Sequence, residues 1–355
     1  MNRIAPLLRS IARPRRRQGR TAAPRRRAGA LPGAGALILA LAGLTPLPGQ
    51  EVSAADGLEV DILSYNVNAL PALPGDGLSR RMTEIGKRLA RLHEDRDRPQ
   101  VVLLQEAFDP RVRALIAEAG FPFQVRGPGR RAGGASPGNK VLDAVLDAVG
   151  VKGDTGTPLN SGLYILSELP VMEARFTTFD SACAGLDCFA NKSILMARLR
   201  LPDDGGLIDV VTSHFNSHGS SGVPAAVSRA AHTKQVDILA RFLKGRGSEH
   251  PLVLAGDFNV RPVPRYRTFR KTITVRDVGR QCTLALPDCT LADDTSPPEV
   301  RMQTNDKHFM RAGAALNLRP VHVARTFRGY FEGRPLSDHL GYAVRYRLTA
   351  PDPDS

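Results

Sequence analysis

Five short polar motifs, each at the end of an apolar run, carry the residues best suited to chemistry. In order they are Ser64 to Asn66 (Ser-Tyr-Asn), Leu104 to Glu106 (Leu-Gln-Glu), Ser213 to Asn216 (Ser-His-Phe-Asn), Gly256 to Asn259 (Gly-Asp-Phe-Asn) and Ser337 to His339 (Ser-Asp-His). Together they supply carboxylates, carboxamides and two histidines. That set suits holding a hard divalent cation and moving protons around a phosphate ester.

Glu106 follows four apolar residues and Gln105. A carboxylate at the exit of a buried strand is costly unless paired or bound to a cation, so Glu106 is the leading metal ligand. Asn66 either ligates the cation or fixes Glu106, although Asn after a strand is also an ordinary turn residue. In Gly-Asp-Phe-Asn, alternation throws Asp257 and Asn259 to one side, the first as proton acceptor or ligand, the second as donor to a phosphate oxygen. His214 and Asn216 repeat the i, i+2 arrangement. With a second imidazole at His339, one group deprotonates water while another stabilises the departing oxygen. His339 is assigned as the base, and His214 to the phosphate or leaving-group side. Asp338 faces the metal rather than the imidazole, because adjacent residues on a strand point apart. Asp306 is the candidate that orients His339, and Lys192 the candidate donor to a phosphate oxygen. The chain contains no H-E-x-x-H and no G-x-x-x-x-G-K-[ST], which argues against a zincin and a P-loop enzyme.

The elements that must bring these motifs together follow from periodicity. Leu58 to Tyr65 alternates and predicts a strand with Asn66 at its exit, and Val101 to Leu104 is a continuous apolar run, as in a strand buried on both faces. Further strands are predicted over Gly162 to Leu166, Ser193 to Leu201, Leu207 to Thr212, Leu252 to Ala255 and Gly341 to Arg347. Helical spacing marks Arg80 to His93, Arg111 to Ala119, Lys140 to Val149 and Ala225 to Leu243. Gly127 to Gly138 is too rich in glycine and proline for a regular element. In mixed α/β sheets, ligand sites gather at strand ends, so the motifs are placed to meet.

The formal charge of +14 invites a nucleic-acid reading, but ten arginines lie within the first 27 residues and no acid precedes Glu51. From residue 28 onward, 39 of the 49 basic residues face all 35 acids, a net of +4. Basic residues, then an apolar stretch over 28 to 49, then Val52-Ser53-Ala54 form the layout of a secretory signal. Residues 1 to 54 are therefore expected to be a leader, and 55 to 355 one domain exported to the periplasm or the medium. Cys183, Cys188, Cys282 and Cys289 form two close pairs without zinc-ligand spacing, and two local disulfides are the simplest arrangement.

In their order and residue types, the five motifs resemble those of the endonuclease/exonuclease/phosphatase superfamily, the deoxyribonuclease-I-like fold. The resemblance runs from about Val60 to Tyr346 and implies a four-layer α/β sandwich of two packed mixed β-sheets flanked by helices. It also implies a magnesium-dependent phosphoesterase site, with metal ligation at Glu106 beside Asn66, phosphate contact at His214 and Asn259, and acid/base work at Asp257 and His339. Leu104 to Asp109, Asn160 to Leu163, Ser167 with Pro170, and Cys188 to Lys192 are most similar to secreted neutral sphingomyelinases. Departures from that pattern fall at Ser161, Ser193 and Phe215-Asn216.

These readings lead to an exported, Mg2+-dependent phosphodiesterase acting on a phospholipid such as sphingomyelin, with peripheral membrane contact through Phe or Leu, since the chain has no Trp. The alternative is an extracellular nuclease using the same site, with nucleic acid as its partner. A binding module that lost its activity fits poorly with intact Glu106, Asp257 and His339. No feature calls for an obligate protein partner.

Overall fold

The run expected to deliver Asn66 becomes β1 (Leu58–Ala69), in the interior of a seven-stranded sheet. A computed structural model describes residues 57–71, 75–94, 99–131, 157–284, 286, 288–292 and 303–351. These all lie in one unit, Val52–Ser355. The leader and the helix expected over Lys140 to Val149 fall outside the described residues. Beside β1 in the first sheet lie β2 (Val101–Ala107), β3 (Phe123–Arg126), β4 (Tyr164–Ser167), β10 (Thr290–Ala292), β12 (Asn317–Thr326) and β15 (Gly341–Thr349), in the order β10-β12-β15-β1-β2-β4-β3. The second sheet runs β5-β6-β7-β8-β11-β9, from β5 (Val171–Thr178), β6 (Ser193–Arg200), β7 (Leu207–His214), β8 (Leu252–Asp257), β9 (Arg276–Asp277) and β11 (Asp306–Arg311). A small hairpin pairs β13 (Tyr330–Phe331) with β14 (Arg334–Pro335).

Period-two alternation explains why the two sheets face each other. Val60, Ile62, Val101 and Leu103 point inward from the first sheet and meet Leu195, Ala197, Val210, Val253 and Ala255 of the second. The intervening residues point out. Leu63, Tyr65, Val102 and Leu104 pack on Met82, Ile85 and Leu89 of α1 (Leu78–Glu94) and Leu115 of α2 (Val112–Ala119). Val211, Leu252 and Leu254 pack on Val236, Leu239 and Leu243 of α3 (Ala225–Gly245) and Phe269 of α4 (Val263–Thr272). The result is the expected four-layer sandwich, completed by α5 (Val278–Leu284) at one edge. Each fully buried aliphatic or aromatic side chain contributes about 1.5–3 kcal/mol.

The polar half of the Leu58 to Tyr65 alternation does not simply face water. Glu59 accepts from the Arg347 guanidinium at 2.6 Å and Asp61 from Arg345 at 2.9 Å, both on the neighbouring β15. From Ile62 to Val67 the strand is buried on both faces.

Gly256 sets the approach of β7 to β8. It pairs with Ser213, and a Cβ there would lie 2.3 Å from the Ser213 carbonyl oxygen. Gly256→Ala must therefore spread the two strands and is expected to cost about 1–3 kcal/mol in urea unfolding. Gly245→Ala, in open space at the end of α3, serves as control and should leave stability unchanged or slightly higher. Equal midpoints for the wild type and Gly256→Ala would contradict this packing.

Candidate active site

Strand register brings the motifs to one end of the sandwich. The parallel pair β1 and β2 sets Asn66 beside Gln105, the parallel pair β7 and β8 sets His214 beside Asp257, and antiparallel β11 sets Asp306 opposite Asp257. The Ser337 hydroxyl donates to the Asn66 carbonyl oxygen at 2.7 Å, and the His339 backbone N–H donates to the Ser337 hydroxyl at 3.2 Å. These bonds hold the Ser-Asp-His turn against β1. Phe215 and Phe258, the middle residues of His-x-Asn and Asp-x-Asn, point the other way and meet at 5.4 Å between ring centroids. Phe258 thus anchors the turn whose Asp257 and Asn259 side chains face the opening, and Phe215 the turn that presents His214.

Two of those turns adopt left-handed backbone, Glu106 at φ 53° and Asn259 at φ 50°. Non-glycine residues held there cost of order 1–3 kcal/mol each. At Glu106 the following Ala107 N–H is held by the Gly162 carbonyl at 2.9 Å. At Asn259 the Asp257 carboxylate accepts the backbone N–H at 3.1 Å, and the side-chain amide donates to the Phe215 carbonyl at 3.1 Å.

The four charged or imidazole groups at the centre share a space of a few ångströms. Asn66 donates its amide to Glu106 Oε1 at 2.9 Å and to Asp257 Oδ2 at 3.3 Å, while its Oδ1 accepts the Asn68 N–H at 3.0 Å. In this arrangement Asn66 positions the two carboxylates. His214 Nε2 lies 3.5 Å from Asp257 Oδ2 and 3.9 Å from Glu106 Oε1; His339 Nε2 lies 3.8 Å from Asp257 Oδ2. On its other side, His339 Nδ1–H donates to Asp306 Oδ2 at 2.9 Å. That bond fixes the imidazole so that Nε2 faces the opening, the logic of a carboxylate orienting a catalytic histidine.

Electrostatics separate the two imidazoles. Burial lowers His214 well below its ordinary value, with the charges of Lys192 and His339 adding to the effect. Burial also pulls on His339, but the hydrogen bond and charge of Asp306, with Asp257 and Asp338, outweigh it and raise this imidazole to about 10. Burial and the nearby Asp306 charge push Asp257 upward, and burial raises Glu106 against the bond from Asn66. One imidazole is thus neutral and the other cationic before any ligand arrives.

Lys192 is nine-tenths buried or more, pairs with Asp187 and donates to the Phe215 carbonyl at 2.9 Å. Asp187 also accepts the Ser217 N–H at 3.0 Å and hydroxyl at 2.6 Å. It lies within the loop closed by the Cys183–Cys188 disulfide; Cys282 and Cys289 form the second expected disulfide. Glu106, Lys192, His214, Asp257, Asn259, Asp338 and His339 line one cleft of about 390 Å³, together with Leu70, Phe108, Leu159 and Leu186. Asp306 stands behind His339. Asn216 lies outside the lining: it is fully buried, accepts the Ala184 N–H at 2.8 Å and donates to the Ser217 carbonyl at 3.1 Å. Its amide holds the 182–190 segment in place. Asp187 and Asn305, both in the cleft wall, escaped the sequence reading. Neither ends a recognisable strand, and only the neighbouring Cys188 and Lys192 hint at Asp187. Arg265 was also missed; it is buried beneath the site and donates to the Asn216 carbonyl at 2.6 Å and the Ser228 hydroxyl at 2.9 Å.

The donor set fits a hard cation. Glu106, His214 and Asp257 each bring one ligand atom into a common space within 4.8 Å, as do Asp257, Asp306 and His339. Buried carboxylates that resist ionisation, with Asp338 beside them in the cleft, are the groups whose burial a divalent cation would relieve.

Comparison with known proteins agrees with this architecture. Residues 63–339 match the Endonuclease/Exonuclease/phosphatase family. Sphingomyelinase C 2 of Leptospira interrogans serogroup Icterohaemorrhagiae serovar Lai is 25% identical over 209 residues, 57% of this chain and 31% of that protein. The chain spans less than half the length of the curated relatives it matches, 31% and 40%. Among solved structures, beta toxin from Staphylococcus aureus, as a double mutant with bound magnesium ions, covers 81% of this chain and 99% of its own at a TM-score of 0.58 and 19% identity. D. rerio TDP2 complexed with single-strand DNA product covers 81% and 99% at a TM-score of 0.55 and 19% identity. With its sandwich, strand-end motifs and family match in agreement, this chain belongs to the endonuclease/exonuclease/phosphatase family, with distant similarity to sphingomyelinase C.

Proposed function

We propose that the protein is an exported, magnesium-dependent phosphodiesterase that hydrolyses a phospholipid such as sphingomyelin. The observation that carries this reading is the cleft itself. Its floor is a carboxylate and imidazole cluster, and its rim includes Leu70 and Leu186, 48% and 47% exposed. Its one lining lysine among the described residues, Lys192, is buried and paired with Asp187. A nuclease lays Lys and Arg along the phosphates of its substrate, and among the described residues this lining contains no arginine. The similarity to sphingomyelinase C and the magnesium held by beta toxin support the same direction. The basic, then apolar, leader and the two disulfides support export.

In this mechanism Glu106 would hold the cation, with Asn66 fixing that carboxylate and with Asp257 and Asp338 as further oxygen donors. When bound, the cation would supply charge stabilisation at the phosphate. His214, Asn259 and Lys192 contact the phosphate oxygens. The charge of a bound cation would disfavour the His339 imidazolium; in its neutral form His339 accepts the proton of the attacking water through Nε2, and Asp306 stabilises the imidazolium that forms. The bond to the lipid oxygen breaks as the new P–O bond forms, and the departing alkoxide, on the His214 side, takes up a proton from solvent to leave as the alcohol.

Purified protein with magnesium or EDTA, offered sphingomyelin vesicles, phosphatidylcholine vesicles and plasmid DNA, tests this reading. Magnesium-dependent release of phosphocholine, abolished by EDTA, is the expected result; DNA nicking without lipid turnover would overturn it. Glu106→Gln should raise the magnesium concentration needed for half-maximal rate, and His339→Ala should lower kcat by at least about 10²-fold with the fold retained. Wild-type kinetics in either variant would remove that assignment.

Asp306→Asn has a signed pH consequence. Asp306 raises His339, so its loss lowers the imidazole and the neutral, base-competent form appears at lower pH. The acid limb of kcat/KM is expected to move to lower pH while kcat falls; an unmoved limb would separate Asp306 from the base.

A further inference from the structure

Among the described residues, three arginines that form no ion pair with a carboxylate meet at the edge of the second sheet. Arg270 lies near the end of α4, Arg276 in the edge strand β9 and Arg280 in α5. With Asp277, Gln281 and Leu284 they line a recess of about 360 Å³, and no residue of the catalytic cleft takes part. All three arginines are exposed, and among the described residues none of their guanidinium groups forms an ion pair with a carboxylate.

The acid that lines the recess is already saturated. Asp277 accepts the Tyr266 hydroxyl at 2.9 Å and the Arg280 backbone N–H at 3.1 Å, and it pairs with the buried Lys307 ammonium at 3.1 Å. Lys307 and Asp277 cancel, which among the described residues leaves the three arginines facing one opening. Arg267 and Lys271, exposed on α4 beside Arg270, extend the same field.

The arginines are also held in place by the fold. The Arg270 guanidinium donates to the Val275 carbonyl. Arg276 is paired through β9 to Met310 of β11. The helix that carries Arg280 is tied to the turn after it by the Cys282–Cys289 disulfide. Like charges gathered on rigid elements repel one another, and a bound anion removes that cost. The guanidinium fork matches a phosphate through two parallel hydrogen bonds, which an ammonium cannot reproduce. A recess of this volume admits a phosphomonoester but not a folded chain.

We propose that this recess is a second anion site, separate from the catalytic cleft, that binds a phosphate group, either free or in the headgroup of an anionic phospholipid. The inference does not depend on the catalytic reading, because it uses none of those residues.

Calorimetric titration of the full, EDTA-treated chain with inorganic phosphate tests the site with the catalytic cation removed. Binding is expected in the wild type and equally in Asp257→Asn, which reports on any phosphate held in the catalytic cleft. Arg276→Gln/Arg280→Gln should bind at least about tenfold more weakly, as expected on losing charge-assisted hydrogen bonds, with unchanged circular dichroism. Arg276→Gln alone should show a smaller loss, which keeps the test decisive if the double variant misfolds. Cosedimentation with vesicles of phosphatidylcholine alone, or mixed with phosphatidic acid, identifies the source. Pelleting that needs both phosphatidic acid and the arginines assigns the lipid headgroup, and phosphate binding without pelleting assigns a soluble phosphate. Equal phosphate affinity in wild type and both arginine variants, or no phosphate binding in the wild type, would overturn the proposal.

Discussion

A single buried carboxylate joins the two sheets at the point where chemistry is expected. Asp257 leaves β8 with Oδ2 between Asn66 of β1, His214 of β7 and His339 of the Ser-Asp-His turn, at 3.3, 3.5 and 3.8 Å. Burying such a group costs free energy that only opposite charge or hydrogen bonding offsets. Glu106 and Asp306 lie in the same neighbourhood, so the site accumulates negative charge that the protein meets only in part, with the His339 imidazolium and Lys192. The remaining deficit is what makes a divalent cation a natural occupant.

That constraint explains the surrounding packing. Gly256 lets β7 and β8 approach closely enough for His214 to reach Asp257. Phe215 and Phe258 turn into an aromatic cluster that also contains Phe269 and Phe309, and so fix the direction of the polar side chains beside them. The Ser337 hydroxyl donates to the Asn66 carbonyl and accepts the His339 N–H, which holds His339 beside the carboxylates. Stability and geometry meet at Phe258, whose burial also aims Asp257 and Asn259 at the cleft.

Much of this was legible in the amino-acid sequence because a polar residue that ends an apolar run has few bland explanations. The exits of β7 and β8, and with them His214 and Asp257, followed from that rule; Asn66 and Glu106 lie near the ends of β1 and β2, which continue to Ala69 and Ala107, and the two local disulfides followed from cysteine spacing. The rest depended on partners distant in the chain. Asn216 has the same i, i+2 spacing as Asn259, and both lie past the last residue of their strands, His214 and Asp257; Asn259 adopts left-handed backbone and lines the cleft, whereas Asn216 does not and turns toward Ala184. Asp187 earns its place only through Lys192 and Ser217, and Arg265 only through carbonyls that two separate turns present to it. The strands β9, β10, β13 and β14 have two or three residues each, too few for a period to show.

The central claim is that these carboxylates and imidazoles form one cation-binding pocket. Anomalous diffraction from a crystal soaked in Mn2+, a scattering substitute for magnesium, tests it most directly. The account predicts a peak within ligand distance of the Glu106 carboxylate, inside the cleft that also holds Asp257 and His339. A peak elsewhere on the molecule, with none beside Glu106, would contradict it.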